Sequence, residues 1–205
     1  MSLWRKHVLP PLTNLACQNT ANTTQRAEFI PRACGTVLEV GVGSGLNIPF
    51  YGPGVNKLYA LDPSVELWKM AQNRVRKGRF PIEFLATSAE NIPLAEMAVD
   101  TVVTTWTLCT IPDPAEALKE MKRVLKPRGT LIFIEHGWSP DPSVRTWQNL
   151  LNPIWKRLAG GCNMNRKIEE LIAEAGFHIT QLETEYNGLP RLLTYLYKGM
   201  AERPV

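Results

Sequence analysis

The sequence predicts an α/β fold, a doubly wound sheet with helices on both faces, and three observations carry that prediction. Apolar stretches of strand length alternate with helix-period patterns, the rhythm that builds a parallel sheet covered by helices. An early strand runs straight into three alternating glycines, Gly41, Gly43 and Gly45. A length of 205 residues with 44% hydrophobic content supplies one well-buried core and is too short for two ordinary domains and a linker. A single domain over 1–205 is expected, with an N-terminal cap segment over 1–35, a ligand-binding half over 36–136 and a C-terminal part over 137–205.

The predicted strands are Thr36–Val40, Lys57–Leu61, Ile82–Ala86, Val99–Thr104, Thr130–Glu135, Phe177–Leu182 and, as a seventh, Leu192–Lys198. The helices between them carry recognisable signals. Asp113-Pro114-Ala115-Glu116 offers an N-cap acid and a proline at the first helical position, and Leu118, Met121, Val124 and Leu125 then mark one apolar face. This helix must end before Pro127. A second helix runs from about Asn165 through Ile168, Leu171 and Ile172 to Ala175, with Gly176 as its C-terminal cap. Val65, Trp68 and Val75 sketch a third. Prolines and glycines at Pro49–Gly54 and Trp138–Pro142 mark loops.

Composition excludes several function classes. Cys17, Cys34, Cys109 and Cys162 are far apart and form no CxxC pair, so their spacing suggests neither a zinc site nor a disulfide framework. The net charge of +4 sits mostly in residues 1–35, while 36–136 is balanced; a nucleic-acid footprint would need Lys and Arg clustered along one face. The longest apolar run, Thr101–Ile111, falls well short of the roughly 20 residues of a membrane span. The N-terminus reaches Pro10-Pro11 rather than a signal-peptide apolar core. A cytoplasmic protein is expected, and the basic N-terminal arm reads as a solvated segment, with peripheral contact to an acidic lipid surface as the alternative.

Chemistry concentrates after the first strand. In Glu39-Val40-Gly41-Val42-Gly43-Ser44-Gly45 the glycines let the backbone turn sharply and bring main-chain N–H groups close to a ligand. A nicotinamide-type G-x-G-x-x-G would need glycine at 46, where Leu46 stands. Asp62, seventeen residues after Gly45 at the end of the second strand, can accept both hydroxyl hydrogen bonds of a ribose; an Asp before Pro63 also reads as a helix N-cap. Thr87-Ser88-Ala89-Glu90-Asn91-Ile92-Pro93-Leu94 follows the third strand, Thr105-Trp106-Thr107-Leu108 the fourth, and Val124–Leu131 supplies the helix, turn and strand after it.

In this order the five segments resemble the class I S-adenosylmethionine-dependent methyltransferases over residues 36–136. The resemblance implies a Rossmann-like seven-stranded sheet, mostly parallel with one antiparallel strand. It implies S-adenosyl-L-methionine as cofactor and S-adenosyl-L-homocysteine as product. It places Glu39 near the methionine end, Asp62 at the ribose and the turn of Ser88 and Ala89 at the adenine, with Gly41, Gly43, Gly45, Asn47, Pro63, Glu90 and Thr105 as further cofactor contacts. Ser88 stands where the family commonly has an acid. A narrower likeness, carried by Gly45-Leu46-Asn47-Ile48-Pro49-Phe50-Tyr51, Leu108-Cys109-Thr110-Ile111, Glu135-His136, Trp155, Gly161-Cys162 and Arg166, is to the methyltransferase-like 7 thiol S-methyltransferases. The ubiquinone, menaquinone and phosphatidylethanolamine methyltransferases are near neighbours. It implies a small or lipid-like acceptor: a lipophilic thiol first, a quinol precursor or lipid amine next.

His136, ending the fifth strand, is the candidate general base, against the plainer role of a structural histidine bonded to a loop carbonyl. Trp4, Trp106, Leu108, His136 and Trp155 are the expected acceptor contacts. Cys162 has no base paired with it in the sequence, which favours packing over a nucleophilic role. Two other classes stay open at this level: a nicotinamide-dependent oxidoreductase, opposed by Leu46, and a non-catalytic cofactor-binding module. Residues 1–35 and about 138–165 are expected to cap the pocket.

Overall fold

The computed structural model describes residues 4–205. One seven-stranded sheet has the order β3-β2-β1-β4-β5-β7-β6, built from β1 (Gly35–Val40), β2 (Val55–Leu61), β3 (Ile82–Leu85), β4 (Val99–Thr105), β5 (Leu125–His136), β6 (His178–Tyr186) and β7 (Tyr195–Glu202). β1 pairs in parallel with β2 and β4, and β7 runs antiparallel to both its neighbours, β5 and β6. The chain winds outward from β1 to β3 and then returns to β4. The carboxyl ends of β1 and β4 therefore border the crevice where open α/β sheets bind ligands.

Period-two burial fixes the register. Leu38, Val102, Leu131 and Phe133 enter one core layer, while Val37, Val103, Ile132 and Ile134 enter the other. A slip of one residue would exchange the two faces. The first layer is covered by α4 (Pro114–Val124) and α6 (Ile168–Glu174), and the second by α2 (Thr20–Phe29) and α3 (Val65–Val75). In α4, Asp113 Oδ1 accepts from the Glu116 amide at 3.1 Å, and Leu118, Met121 and Val124 are wholly buried, each contributing about 1.5–3 kcal/mol of apolar burial. Gly176 closes α6 with a positive φ of 81°, a backbone conformation that glycine adopts without a Cβ penalty.

The seven strands lie where the sequence predicts, with shifted ends. β5 begins at Leu125 rather than Thr130 and β7 at Tyr195 rather than Leu192, since α7 (Arg191–Thr194) takes the intervening residues. The cap segments prove helical: α1 (Leu9–Cys17), α2, and the long α5 (Pro142–Leu158), which starts at the last residue of the predicted Trp138–Pro142 loop.

Candidate cofactor and acceptor site

β1 delivers Glu39 and the glycine turn to the crevice. A Cβ on Gly41 would stand 2.1 Å from Thr107 Oγ1, so the turn is packed tightly from behind. A Cβ on Gly43 would meet nothing nearer than 3.9 Å, and Gly43 has a φ of 52°. The front of the turn is thus an open cradle that a side chain would fill, which fits the close approach of a ligand to the backbone. Asp62, at the end of β2, is buried and accepts from the Gly43 amide at 2.8 Å and the Ser64 amide at 2.7 Å. Burial raises its pKa, against the lowering by these two amides. The N-cap of α3 is Ser64, whose side chain accepts from Leu67 N at 3.2 Å, so Asp62 does not serve as the cap.

Glu39 is wholly enclosed. Its Oε1 accepts from Asn47 Nδ2 at 2.9 Å and its Oε2 from the Tyr51 hydroxyl at 2.8 Å. Asn47 Nδ2 also reaches Thr105 Oγ1 at 3.0 Å, and Arg26 Nε donates to Asn47 Oδ1 at 3.0 Å. Burial pushes the Glu39 carboxyl up to about 7, against the lowering by Tyr51, Asn47 and Arg26. Arg26, from α2, lies 4.6 Å over the Trp106 ring and donates to the Cys17 carbonyl at 2.8 Å. Sequence reasoning missed Arg26 and Tyr51. The glycine-rich run passes close to Tyr51, but nothing in the spacing of Arg26 marks it, because α2 reaches the site only through tertiary packing.

Trp106 occupies a left-handed conformation with φ 50°, a strained choice for a bulky residue. β5 holds it there: its amide donates to the Ile134 carbonyl at 2.8 Å, and the next amide, Thr107 N, donates to Glu135 Oε2 at 2.9 Å. Glu135 also accepts from Thr104 Oγ1 at 2.8 Å, so this buried acid braces the β4 loop. Leu108 departs from expectation. Its side chain is fully buried in the first core layer, which removes it from the acceptor contacts; its carbonyl is engaged by Arg166 and its amide by Glu135. On the adenine-side turn, Ala89 is buried, Ser88 and Pro63 are exposed, and Glu90 Oε1 accepts from the Asp113 amide at 3.3 Å.

His136 Nε2 stands 3.2 Å from Cys162 Sγ, while its Nδ1 is buried with no partner among the described residues. The expected bond from this ring to a loop carbonyl is not made, and Cys162 does have an imidazole beside it, contrary to the expectation from sequence. Cys109 and burial raise the Cys162 thiol, against the pull of His136. For His136, burial works against the charged ring, but Cys162 and Glu135 outweigh it and the pKa rises. Trp155 is half-buried, and its Nε1 has no partner among the described residues. Trp4 is exposed and donates to the Leu158 carbonyl at 3.2 Å, at the outer end of α5 rather than at the glycine turn.

The N-terminal helices bridge the two halves of the site. Ser44, inside the glycine turn, bonds Asn14 Oδ1 of α1 at 2.6 Å, and Leu9 packs so closely on Gly160 that a Cβ there would come within 2.4 Å of its Cδ2.

A glycine turn leaving the central strand of a sheet ordered β3-β2-β1-β4-β5-β7-β6 is the arrangement that the resemblance to the class I, seven-stranded S-adenosylmethionine-dependent methyltransferases implies. A family model described as a methyltransferase domain matches residues 38–133. The chain is 39% identical over 155 residues to Thiol S-methyltransferase TMT1B of Rattus norvegicus and 35% identical over 156 residues to Thiol S-methyltransferase TMT1B of Homo sapiens. These matches cover 72% and 73% of this chain and 62% of each relative. In fold it resembles the crystal structure of a SAM-dependent methyltransferase from Aquifex aeolicus, with TM-score 0.63, 21% identity, and coverage of 94% of this chain and 97% of that one.

Proposed function

We propose that this protein transfers a methyl group from S-adenosylmethionine to the sulfur of a small lipophilic thiol. The observation that carries the reading is the enclosure of the acceptor side. Asn14 of α1 bonds Ser44 of the glycine turn, Arg26 of α2 lies over Trp106 after β4, and Leu9 packs on Gly160 after α5; a cover of this kind would exclude water and favour an uncharged acceptor. The likeness to thiol S-methyltransferases supports the choice of sulfur over a quinol ring or a lipid amine.

When bound, the cofactor supplies a methyl group already activated by its sulfonium. The chain's own part is to bind and orient. The backbone of Gly41–Gly45 lines the cradle, Asp62 is placed to accept from the ribose hydroxyls, and Glu39, Asn47 and Thr105 surround the methionine end, with Arg26 adding positive charge. The backbone at Ala89, flanked by Ser88 and Glu90, borders the adenine. Trp106 and Trp155 form apolar walls on the acceptor side. A thiol with pKa near 8.5 is partly ionised at neutral pH, so His136 is not required as a base.

The test is a panel of lipophilic thiols, quinols, lipid amines and polyanionic thiols, read by release of S-adenosylhomocysteine and by product mass. Thiols are expected to turn over and polyanions to fail. Preference for a quinol or amine would replace the acceptor, and binding of cofactor without turnover of any compound would reduce the protein to a binding module.

The outer face of the cap supports a second part of the reading, peripheral attachment to acidic membranes. Trp147, Leu150, Ile154 and Leu158 repeat at helical spacing on α5 and are each more than half exposed. Trp4, Val8, Leu12 and Leu15 form a second exposed stripe, joined to the first where Trp4 meets Leu158. Lys156 and Arg157 are exposed at the same end of α5. An apolar stripe flanked by cations is how a helix lies in a lipid interface. No described helix is long and apolar enough to cross a membrane.

A further inference from the structure

Cys109, His136 and Cys162 come from three separate connections: the loop after β4, the end of β5 and the turn after α5. One ligand atom from each lies within 4.8 Å of the other two, and the His136–Cys162 separation is 3.2 Å. Metal–sulfur bonds of about 2.3 Å and metal–nitrogen bonds of about 2.0–2.1 Å in a tetrahedral site set ligand–ligand edges of about 3.5–3.8 Å. The trio therefore needs shifts of about an ångström or less to enclose one ion. Its present hydrogen bonds are poor. Thiols are weak donors and acceptors, Cys109 Sγ meets the Trp106 carbonyl at 3.6 Å and Thr110 Oγ1 at 3.4 Å and faces the Cys162 thiol, and among the described residues His136 Nδ1 has no partner.

We propose that Cys109, His136 and Cys162 form a three-ligand site for a thiophilic divalent cation, Zn(II) first, with its fourth position available to the acceptor's sulfur. Two thiolates and an imidazole match the soft and borderline ligands that select zinc over magnesium or calcium. Three protein ligands with one open position distinguish reactive zinc sites from closed structural ones. Two thiolates neutralise the ion, and a third, from the acceptor, gives a centre of net charge −1. Arg166, half-buried and near enough to Cys109 and Cys162 for their charges to act on it, offsets that charge. In the exchange a metal–sulfur bond forms, the water in the fourth position leaves, and the thiol proton passes to bulk water. The acceptor is then held as a thiolate at the end of β5, which accounts for a buried histidine that the transfer does not need as a base.

The cation site stands on the three side chains alone, whereas its acceptor ligand rests on the thiol reading above, and the two can be separated. Full-length protein purified under reducing conditions, loaded with Zn(II) and then desalted, should retain about one equivalent. Co(II) titration should raise a thiolate-to-cobalt charge-transfer band that is lost in Cys109→Ser, Cys162→Ser and His136→Gln. Should a variant fail to fold, alkylation of the wild-type chain gives the same information: added Zn(II) should protect Cys109 and Cys162, read by peptide mass, and leave the exposed Cys34 reactive. Without any cofactor present, 2-phenylethanethiol should shift the cobalt band. Absence of retained metal with all thiols reduced, unprotected alkylation, or isolation of a Cys109–Cys162 disulfide in place of a metal complex would each overturn the site, even if thiols are methylated. A retained ion whose cobalt spectrum ignores the thiol overturns the open position. A metal site in a protein that methylates no thiol would instead sink the functional reading.

Discussion

Asp62 and Glu39 are both buried acids beside the glycine turn, and their surroundings assign them different behaviour. Asp62 spends both oxygens on backbone amides of the site, Gly43 and Ser64. Asp62→Ala should weaken S-adenosylmethionine binding by about 1.5–3 kcal/mol through lost charge-assisted bonds. The variant also strands two amides, so calorimetry should be paired with thermal melts; unchanged affinity in a folded variant would remove Asp62 from the ribose. Glu39 carries the pH signal. Its folded pKa of about 7 lies above the unfolded value of about 4.3, so the folded state binds the extra proton. Stability from this group is full below about pH 4.3 and is lost as pH rises towards 7. In Glu39→Gln that decline should flatten, measured as the difference in urea midpoint between about pH 5 and pH 8 for the two proteins. Equal pH dependence would show that Glu39 is ionised throughout.

The cap helices differ in what they stabilise. Phe29 and Ile30, at the end of α2, are fully buried in the second core layer, and losing a side chain such as Phe29 costs about 3–5 kcal/mol. Removing residues 1–30 would therefore unfold the sheet's cover along with the lid. Removing 1–17 is the informative cut, since it takes α1 with its Asn14–Ser44 bond and leaves Arg26, Phe29 and Ile30 in place. Turnover of the true acceptor should fall at least tenfold, while cofactor affinity changes several-fold at most. A truncated protein that is folded and fully active would dismiss the lid.

Across the whole molecule, apolar side chains gather on one outer face formed by α1 and α5, as the basic excess gathers in the N-terminal arm. Vesicles containing phosphatidylserine should bind the protein more tightly than neutral vesicles, and salt should weaken that preference. Ile154→Glu, on the exposed stripe and away from the glycine turn, should abolish sedimentation with vesicles and leave turnover of a water-soluble thiol unchanged. Co-sedimentation of the variant at the wild-type level would refute the lipid-facing stripe.

Local signals were enough for much of this protein. Apolar stretches of strand length at Val37–Val40 and Leu131–Ile134 announced buried strands, Asp113-Pro114 announced the start of α4, and the glycines after Glu39 announced a backbone built for close approach. Each rests on neighbours in the chain, which sequence displays directly. Helical spacing was also present in Trp147, Leu150, Ile154 and Leu158, but that apolar face meets no core, so it was not distinguishable from a loop-rich cover. What only the tertiary structure decided depends on residues far apart in the chain. Leu108 turned into the core, because the left-handed Trp106 braced by Glu135 redirects the chain after β4. Arg26 reached Asn47 across 21 residues, and Cys109, His136 and Cys162 met from three connections whose spacing in the sequence resembles no ligand motif. The convergence of loops at the carboxyl edge of a sheet is set by strand order, and strand order is a property of the packed molecule rather than of any segment.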